Sequence, residues 1–471
     1  MAPRVAFHTL GCKVNQSDTE AVAALFRKAG YEVVDFSSPA DVYVVNTCTV
    51  TSLGDKKSRQ ALRRAKRQNP DAVVVAMGCY AQTAPGEVAV IPGVDLVVGT
   101  AGRRELVRLV EEARRLNAAG AGPSPRGAAK PGARVAVAAY DSGAEFEELA
   151  GGAVADRTRA TVKIQEGCRQ FCSYCKVPYA RGPERSRAPE AVLKEVERLV
   201  GEGFQEVVLT GIHLGSYGRD LEGERPWDLA RLAGEIARVP GLARLRLSSL
   251  EPTDVTDELI ALVRENPVLC RHFHLPLQSG DDELLRRMNR RYTTAEYARV
   301  IDRVRDAVPE AGVTTDLIAG FPGETEGHFQ RTLAFVREMA FSHLHVFPYS
   351  RRSGTPAAAF PDQVPDVVKH DRVRRLIAVG RELSLAFHRR MVGREAEVLF
   401  EGEVGAPGRP EGADGPWWSG LTDTYVRVLT PSPAPLAGRF GRVWVERAAE
   451  EEIYGRLAET RKDLLGPGSI S

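Results

Sequence analysis

The chain has 471 residues, which is enough for about three domains, and 43% of them are hydrophobic, which is ample for packed cores. No segment approaches the roughly 18 consecutive apolar residues of a membrane-spanning helix, so we expect a cytoplasmic protein without a membrane partner. The formal net charge of +2 excludes a strongly basic or acidic protein. Any nucleic-acid surface must therefore come from local clustering of the 64 lysines and arginines. Seven dispersed cysteines, an odd number, favour reduced metal-binding thiols over a disulfide framework.

Residues 1–116 alternate short apolar runs with amphipathic stretches, which predicts an open α/β sheet. The strand-like runs at 5–10, 42–46 and 73–77 are each followed within two residues by a cysteine, namely Cys12, Cys48 and Cys79. Because ligands sit at the carboxyl ends of strands in such sheets, these cysteines can converge and hold a three-thiolate cluster. The alternative is that each one is a small residue filling a turn, beside Gly11 and Gly78.

Residues 117–157 are predicted to be a linker, because residues 117–139 are rich in Ala, Gly and Pro and have neither helical nor strand periodicity. The regular pattern resumes in residues 158–388. A helix is predicted at 188–201, and strands are predicted at 161–165, 206–210, 244–248, 272–275, 314–318 and 343–347. About six alternations of strand and helix predict a partial β/α barrel, with its chemistry at the carboxyl ends of the strands.

Three cysteines, Cys168, Cys172 and Cys175, follow the first strand of this segment on one short stretch of chain. A 4Fe–4S cluster is usually held by four thiolates, so three without a fourth close by in sequence predict a cluster with one iron open to a small molecule. Two alternatives are weighed against it. The cysteines can be buried small apolar residues, or they can form a zinc site in which Cys270 or a histidine supplies the fourth ligand.

Residues 389–450 change character, and three strand-like runs separated by Gly- and Pro-rich turns predict a small β-barrel. These runs lie at 392–400, 424–429 and 439–445. Between the first two, residues 405–420, with Trp417 and Trp418, are predicted to be a surface loop. A helix is predicted over 448–465, and residues 451–471 are treated as a tail.

Along nearly its whole length the chain resembles the radical S-adenosylmethionine (SAM) methylthiotransferase family. The resemblance rests on short motifs in the first two segments and on the terminal barrel. The motifs are GCKVN at 11–15, NTCTV at 46–50, GCY at 78–80, GCRQFCSYC at 167–175, HLPLQSG at 274–280 and GFPGET at 320–325. The resemblance implies an amino-terminal methylthiotransferase domain, a radical SAM core and a TRAM-like RNA-binding barrel.

The resemblance also implies the cofactors and their division of labour. Cys12, Cys48 and Cys79 are expected to hold one 4Fe–4S cluster that carries sulfur and accepts a methyl group from SAM. Cys168, Cys172 and Cys175 are expected to hold a second 4Fe–4S cluster that cleaves another SAM molecule to generate a radical. All six cysteines then count as catalytic residues and metal ligands. Proteins that supply sulfur and electrons are expected but are not identified by the sequence.

Residues that follow the strands of the radical SAM segment are expected to bind SAM. They are Gly211, His213, Glu251, Gln278, Ser279 and Gly320. Glycines allow close approach of the backbone, and the polar side chains can hydrogen-bond the amino or ribose groups. The alternative for the Gly211 segment is a plain β-to-α turn. His213 and His274 are also candidate ligands, and the alternative for both is a hydrogen-bonded core histidine.

The GCKVN string resembles the family branch that methylthiolates C2 of N6-threonylcarbamoyladenosine at position 37 of tRNA, next to the anticodon. Other branches act on isopentenyladenosine in tRNA or on an aspartate of a ribosomal protein. A different class, a non-enzymatic iron–sulfur RNA-binding protein, is the further alternative. The expected partner is tRNA, with no DNA partner. Two basic clusters are candidate RNA contacts: Lys56, Lys57, Arg59, Arg63, Arg64, Lys66 and Arg67, and then Arg286, Arg287, Arg290 and Arg291.

Overall fold

The computed structural model describes residues 2–118, 133–140, 145–149, 158–223, 226–405 and 415–460. It divides into two compact units. The first unit comprises Met1–Val154, Lys163–Arg187 and Ser350–Ala359, and the second comprises Ala155–Val162, Ala188–Tyr349 and Phe360–Ser471. Within the described ranges, no helix is long and apolar enough to cross a membrane.

A six-stranded parallel sheet forms the body of the first unit, with strand order β2-β1-β3-β4-β5-β6. The strands are β1 (Arg4–Thr9), β2 (Glu32–Val34), β3 (Val42–Thr47), β4 (Val73–Gly78), β5 (Leu96–Val98) and β6 (Arg134–Ala136). The helices are α1 (Lys13–Lys28), α2 (Ser52–Gln68), α3 (Cys79–Thr83), α4 (Pro85–Ala89) and α5 (Leu106–Ala118). The predicted open α/β sheet is confirmed, and its three predicted strands correspond to β1, β3 and β4.

The two central strands of this sheet are buried on both faces, which explains their continuous apolar sequence. Tyr43 and Val45 pack on one face against α2, α3 and α4, whereas Val42 and Val44 pack on the other face against α1 and α5. Helices therefore cover both sides, and only the strand ends are open to a ligand.

Part of the predicted linker belongs to the first unit. The strand β6 lies inside residues 117–157 and pairs with β5, and Tyr140 Oη lies 2.8 Å from Thr100 Oγ1. Glu147 accepts a hydrogen bond from Arg103 Nε at 2.9 Å. These residues of the predicted linker therefore form a strand and contacts within the first unit, and a three-residue strand gives too short a pattern to recognise in the sequence. Residues 119–132, 141–144 and 150–157 lie outside the described part of the chain.

The next strand, β7 (Ala160–Lys163), ends at the boundary between the units, and its last residue belongs to the first unit. A loop segment of the first unit follows. It contains β8 (Gln165–Glu166), α6 (Val177–Arg181) and β9 (Arg185–Ser186), with β8 and β9 paired antiparallel. The segment predicted as one core, 158–388, is therefore divided, because Lys163–Arg187 and Ser350–Ala359 group with the first unit.

The second unit contains the predicted partial barrel. With β7, its strands are β10 (Glu206–Thr210), β11 (Arg244–Leu247), β12 (His272–His274), β13 (Gly312–Ala319) and β14 (His343–Pro348). They form two three-stranded sheets, β11-β10-β7 and β12-β13-β14, which the bridges Leu245↔Leu269 and Ser249↔His274 connect. Its helices are α7 (Pro189–Gly201), α8 (Leu229–Ile236), α9 (Asp257–Glu265), α10 (Asp282–Arg287), α11 (Thr294–Ala307), α12 (Glu326–Met339) and α13 (Asp366–Arg389).

A closed five-stranded barrel completes the second unit, with strand order β15-β16-β17-β19-β18. Its strands are β15 (Glu395–Val404), β16 (Trp417–Thr422), β17 (Arg427–Pro431), β18 (Phe440–Ala448) and β19 (Ile453–Thr460). The predicted small β-barrel is confirmed. Two details were wrong. Trp417 and Trp418 are buried at the start of β16 rather than on a surface loop, and β19 replaces the helix predicted over 448–465.

The barrel extends beyond residue 450, the predicted domain end, because β19 pairs with both β17 and β18. Residues 406–414 of the predicted loop and residues 461–471 of the predicted tail lie outside the described ranges. Trp418 faces the barrel core and donates its Nε1–H to the carbonyl of Ser432 at 3.1 Å, whereas Trp417 packs with Leu429 and Tyr454. The strand therefore buries both of its faces.

The five-stranded barrel contacts the amino-terminal ends of the half-barrel strands. Arg244, the first residue of β11, donates to the carbonyl of Leu421 at 3.0 Å, and Arg246 donates to the carbonyl of Thr422 at 2.9 Å. Tyr425 adopts a positive φ of 69°, and its ring stacks on His272 with 4.9 Å between ring centroids. The carboxyl ends of the half-barrel strands remain the ends at which a ligand is expected.

Candidate functional site

Cys12, Cys48 and Cys79 follow three adjacent strands of the first sheet, β1, β3 and β4. Cys12 caps α1, Cys48 comes directly after β3, and Cys79 begins α3. A Cβ atom on Gly11 would lie 3.0 Å from the Sγ of Cys48, so the turn after β1 runs directly against that thiol. Gly11 has a positive φ of 103°, a conformation that favours glycine. The three cysteines thus lie at the carboxyl ends of three adjacent strands of the sheet.

The chemistry of this donor set fits a metal cluster. Burial raises the pKa of the Cys48 thiol to about 12, and burial also raises the pKa of Cys79 against the opposing effect of Arg181. Cys12 is exposed. A bound metal replaces the thiol protons and so overcomes the cost of burying thiolates. The set therefore has two buried donors and one donor at an accessible side, which suits a cluster held by three thiolates.

Polar groups surround the sulfurs of this first cysteine set. The backbone N–H of Val50 donates to Cys48 Sγ at 3.5 Å, and Arg181 Nε donates to Cys79 Sγ at 3.4 Å. Asn15 Nδ2 donates to the carbonyls of Leu10 and Thr47 at 2.7 and 3.1 Å, which joins the ends of β1 and β3. N–H groups aimed at cysteine sulfur stabilise the anionic ligand and tune the cluster potential.

Cys168, Cys172 and Cys175 lie on the loop between β8 and α6, and two glycines close this loop. Cys168 N–H donates to the carbonyl of Gly182 at 3.0 Å. Gly167 has a φ of 82°, and a Cβ atom there would lie 1.7 Å from the carbonyl oxygen of Pro183. The backbone therefore requires glycine at residue 167, directly before the first cysteine.

Backbone N–H groups also point at the sulfurs of this second cysteine set. Gln170 N–H donates to Cys168 Sγ and Val177 N–H donates to Cys175 Sγ, both at 3.4 Å, while Cys172 is buried. This donor set and its N–H groups fit a cluster ligated by three thiolates. Cys270 lies apart from both sets in the sequence and is buried in the second unit. Burial raises its pKa to about 12, as expected for a structural thiol.

A buried ion cluster joins segments of the first unit that are distant in sequence. We define it as Asp18, Arg103, Lys163, Glu166 and Arg181. Lys163 Nζ lies 2.6 Å from Asp18 Oδ1, Arg181 lies 2.8 Å from Asp18 Oδ2, and Arg103 lies 3.1 Å from Glu166 Oε2. Burial alone would raise the pKa of Asp18, but the three cations overcome this effect and hold the pKa below its usual value. The same balance holds the pKa of Glu166 well below its usual value.

The role of this cluster was not predicted from the sequence, although Arg181 closely follows the second cysteine set. Asn15, which accepts a hydrogen bond from Arg181, belongs to the motif GCKVN. A further signal was available, because the charged residue Lys163 lies between the apolar residues Val162 and Ile164 at the end of β7. A charged residue in such a strand is buried only when it has a partner.

The six residues expected to bind SAM follow the carboxyl ends of β10, β11, β12 and β13. Gly211 and Gly320 come directly after β10 and β13, and Gln278 has a φ of 67°. The other three have internal partners. His213 Nε2 lies 2.7 Å from Asp254, Ser279 Oγ lies 3.4 Å from Thr332, and Glu251 pairs with Arg290. A role in SAM binding stays a prediction for all six.

The two basic clusters differ in structure. On α2, Lys56, Lys57, Arg63, Arg64 and Arg67 are exposed. In the second cluster, by contrast, Arg287 pairs with Asp362 at 2.7 Å, and Arg290 is nearly fully buried against Glu251. The guanidinium groups of Arg287 and Arg290 are thus engaged within the second unit. The helix α2 is the better candidate for contact with RNA.

Comparison with known proteins bears on both cysteine sets. The profile described as "Uncharacterized protein family UPF0004" matches residues 4–99, which contain the first set. The profile described as "Radical SAM superfamily" matches residues 162–336, which contain the second set. Among solved structures, the radical SAM methyltransferase TsrM from Kitasatospora setae has a TM-score of 0.53 at 18% identity, covering 88% of this chain and 82% of that chain. At this identity the likeness shows the fold alone.

Curated relatives match over 84% to 98% of the chain. Threonylcarbamoyladenosine tRNA methylthiotransferase MtaB of Bacillus subtilis is 43% identical and covers 98% of both chains. The protein of the same name from Aquifex aeolicus is 40% identical over 84% of this chain and 92% of its own. The tRNA-2-methylthio-N(6)-dimethylallyladenosine synthase of Moorella thermoacetica is 38% identical over 96% of this chain and 97% of its own. On this full-length identity, and with both profiles matched, the chain belongs to the radical SAM methylthiotransferase family, and it is a transferase.

Proposed function

We propose that this protein methylthiolates C2 of N6-threonylcarbamoyladenosine beside the anticodon of tRNA. The observation that carries the proposal is the presence of two separate three-cysteine sets in one compact unit. One set alone would suit many radical enzymes. The other set, Cys12, Cys48 and Cys79 at the carboxyl ends of the sheet strands, gives the chain a separate place to hold sulfur. The 43% identity to a relative named for this substrate supports the choice of base.

Two 4Fe–4S clusters, held by the two cysteine sets, and SAM would supply the sulfur, the radical and the methyl group, which side chains cannot supply. The protein residues fix these groups in place. Gly11 and Gly167 allow the turns that present the first and second sets, and Arg181 bonds to a cysteine of the first set. Sulfur and electrons would come from other proteins, whose identity the chain does not reveal.

The exposed basic side chains of α2 support tRNA as the partner. Lys56, Lys57, Arg63 and Arg67 lie at i, i+1, i+7 and i+11 of this helix, while the apolar side chains of Ala61, Leu62 and Ala65 face the core. A helix that presents several cations to solvent suits phosphate contacts. The five-stranded barrel after residue 394 supplies a second candidate RNA-binding element.

A second substrate has a specific observation in its favour. The Moorella relative, 38% identical over 96% of this chain, is named for dimethylallyladenosine. Both substrates are adenosines of tRNA that differ in the group attached to N6. Identifying the modified nucleoside therefore distinguishes the two substrates, whereas the chemistry at C2 is the same for both. The ribosomal aspartate has no such support among the relatives described above, and the non-enzymatic alternative conflicts with membership of a transferase family.

Mass spectrometry of tRNA nucleosides from cells that lack the gene tests the proposal. We expect loss of the methylthio form of threonylcarbamoyladenosine alone, and its return on complementation with the wild-type gene but not with Cys48→Ala or Cys172→Ala. Loss of the methylthio isopentenyl nucleoside instead would move the protein to the second substrate. Unchanged tRNA, with loss of a modified ribosomal aspartate, would refute the assignment to tRNA.

Assays with purified protein distinguish the roles of the two cysteine sets. Under reducing conditions Cys172→Ala should form no 5′-deoxyadenosine from SAM. Cys48→Ala should still form 5′-deoxyadenosine but release no methylthiolated RNA. Cys270→Ala serves as the matched control, because this buried cysteine belongs to neither set. Equal loss of 5′-deoxyadenosine in the Cys48 and Cys172 variants would contradict separate roles.

A further inference from the structure

The inner face of the half-barrel is polar across three neighbouring strands. In the register of the sheet His274 of β12 lies opposite Thr314 of β13, and Asp316 lies opposite His345 of β14. The alternate residues Phe273 and Leu344 are buried on the other face. Barrel interiors are usually filled by branched apolar side chains, so a polar wall here requires an explanation. We call His274, Asp316 and His345 the polar wall.

Hydrogen bonds hold the polar wall in a defined arrangement. His274 Nδ1 lies 2.8 Å from Thr314 Oγ1, which turns Nε2 toward Asp316 Oδ1 at 3.3 Å. The ring of His345 lies 5.5 Å from that of His274. One ring nitrogen of each histidine and one carboxylate oxygen of Asp316 lie within 4.8 Å of one another. The side chains of His274 and Asp316 are 14% and 27% exposed, so a ligand can reach them.

An aromatic side chain lies toward each end of the polar wall. At the amino-terminal ends of the strands, Tyr425 stacks on His272 and lies beneath the guanidinium of Arg246, which is 5.0 Å from the ring centroid. Toward the carboxyl end, Phe347 follows His345 by two residues on β14 and is 47% exposed. Aromatic rings in this position are suited to stack on a nucleic-acid base.

We infer that the polar wall binds the N6 substituent of the substrate adenosine and selects a polar threonylcarbamoyl group over an apolar isopentenyl group. This inference rests on the proposed function. A threonylcarbamoyl group carries N–H and hydroxyl donors together with carboxylate and carbonyl acceptors. Imidazole rings both donate and accept hydrogen bonds, and the Asp316 carboxylate accepts them. An isopentenyl group has no hydrogen-bonding atom, so it would displace water from these polar groups without offering a hydrogen bond in return.

Two histidines and a carboxylate are also a ligand set for Zn²⁺ or Fe²⁺. One observation favours an organic group instead. The polar face continues to Thr314 and to His343, whose ring lies 4.8 Å from that of His345, so it is longer than a single ion needs.

The experiment compares three anticodon stem-loop RNAs that differ only in one adenosine, which is threonylcarbamoylated, isopentenylated or unmodified. Binding to the full-length, cluster-reconstituted protein is measured by fluorescence anisotropy. We expect the wild-type protein to prefer the threonylcarbamoylated RNA over each of the others by roughly ten-fold or more, as sites built from hydrogen-bonding groups do. His345→Phe and Asp316→Asn should each lose most of this preference, because their affinity for the threonylcarbamoylated RNA should fall toward that for the unmodified RNA.

His370→Phe, a change at an exposed histidine of α13, is the matched control and should keep the preference. Folding of the variants is checked by tryptophan fluorescence, since all four tryptophans, Trp227, Trp417, Trp418 and Trp444, belong to the second unit. A preference that survives in both wall variants would overturn the inference. One equivalent of Zn²⁺ or Mn²⁺ bound by the wild type and lost in both variants would overturn it in favour of a metal site.

The same measurements separate the failure of this inference from the failure of the proposed function. If the wild type methylthiolates the threonylcarbamoylated RNA while the wall variants discriminate as well as it does, only the inference fails. If the wild type neither binds that RNA preferentially nor methylthiolates it, the proposed substrate itself is wrong.

Discussion

Arg181 donates its Nε–H to the Sγ of Cys79 over 3.4 Å. This contact connects the two cysteine sets through the protein, because Arg181 closes the helix α6 that follows Cys175, whereas Cys79 belongs to the first set. The other nitrogens of the same guanidinium bond to Asp18, Glu166 and Asn15. The side chain is fully buried, so its charge depends on these partners.

Replacing Arg181 with Gln should destabilise the first unit by about 3–5 kcal/mol, because the change removes a fully buried cation that pairs with both Asp18 and Glu166. Hydrogen–deuterium exchange of peptides from β3 and β4 measures this effect. Tryptophan fluorescence should not change, since all four tryptophans lie in the second unit. The matched control is Arg108→Gln, which removes an exposed arginine and its surface ion pairs. Equal exchange in the two variants would contradict a structural role for the buried ion cluster.

The stability of the first unit should fall in acid. The pKa values of Asp18 and Glu166 are lowered in the folded protein, so their contribution is fully present above the usual carboxyl pKa of about 4. It declines as the pH falls from about 4 through the lowered values, because over this interval the unfolded state binds protons that the folded state does not. Hydrogen–deuterium exchange in β3 and β4, corrected for its intrinsic pH dependence, should accelerate as the pH falls below about 4. Asp18→Asn should flatten the profile, and a wild-type protection that rises on acidification would contradict the prediction.

Gly167→Ala should disrupt the loop that carries the second cysteine set. The new Cβ would lie 1.7 Å from the carbonyl oxygen of Pro183, in a backbone with a φ of 82°. Gly102→Ala is the control, since Gly102 also has a positive φ, 75°, but no atom lies within 4 Å of the added Cβ. We expect the Gly167 variant to lose about four irons per chain, one 4Fe–4S cluster, after anaerobic reconstitution, and the Gly102 variant to lose none. Full iron loading of the Gly167 variant would show that the loop adapts.

Reversing the charge of Arg63, Arg64 and Arg67 on α2 should weaken tRNA binding. Each phosphate contact removed should also lower the slope of log affinity against log salt by about one. Arg27 and Lys28, exposed at the end of α1, provide a matched control for the change in net charge. Unchanged affinity of the Arg63, Arg64 and Arg67 variant at low salt would remove this helix from the RNA-binding surface.

The central strands of the first sheet and of the half-barrel were predictable because their residues follow strong local patterns. The fully buried run Val42–Thr47 and the strand Glu206–Thr210 are examples. The strand Ile453–Thr460 was missed because its alternation is weak and because Gly455 interrupts it. Pairing with β17 and β18 decides its conformation, and such tertiary contacts leave no local pattern in the sequence.

The cysteines of the candidate site were predictable for a different reason, namely their spacing and their positions after strands. The charged residues behind them were not. Asp18 and Arg181 lie 163 residues apart, and their contact depends on how the second cysteine loop packs within the first unit. Only the folded chain shows that Arg181, which follows the second cysteine set, bonds to a cysteine of the first set. The polar wall was hidden in the same way, because His274 and His345 lie on strands separated by β13.

Iron and sulfide analysis after anaerobic reconstitution tests the central claim, that this chain holds two clusters on two separate cysteine sets. The wild type should contain about eight irons per chain, corresponding to two 4Fe–4S clusters. Replacing Cys12, Cys48 and Cys79 together with Ala should leave about four, and so should replacing Cys168, Cys172 and Cys175. About four irons in the wild type, or about eight in either triple variant, would contradict the account.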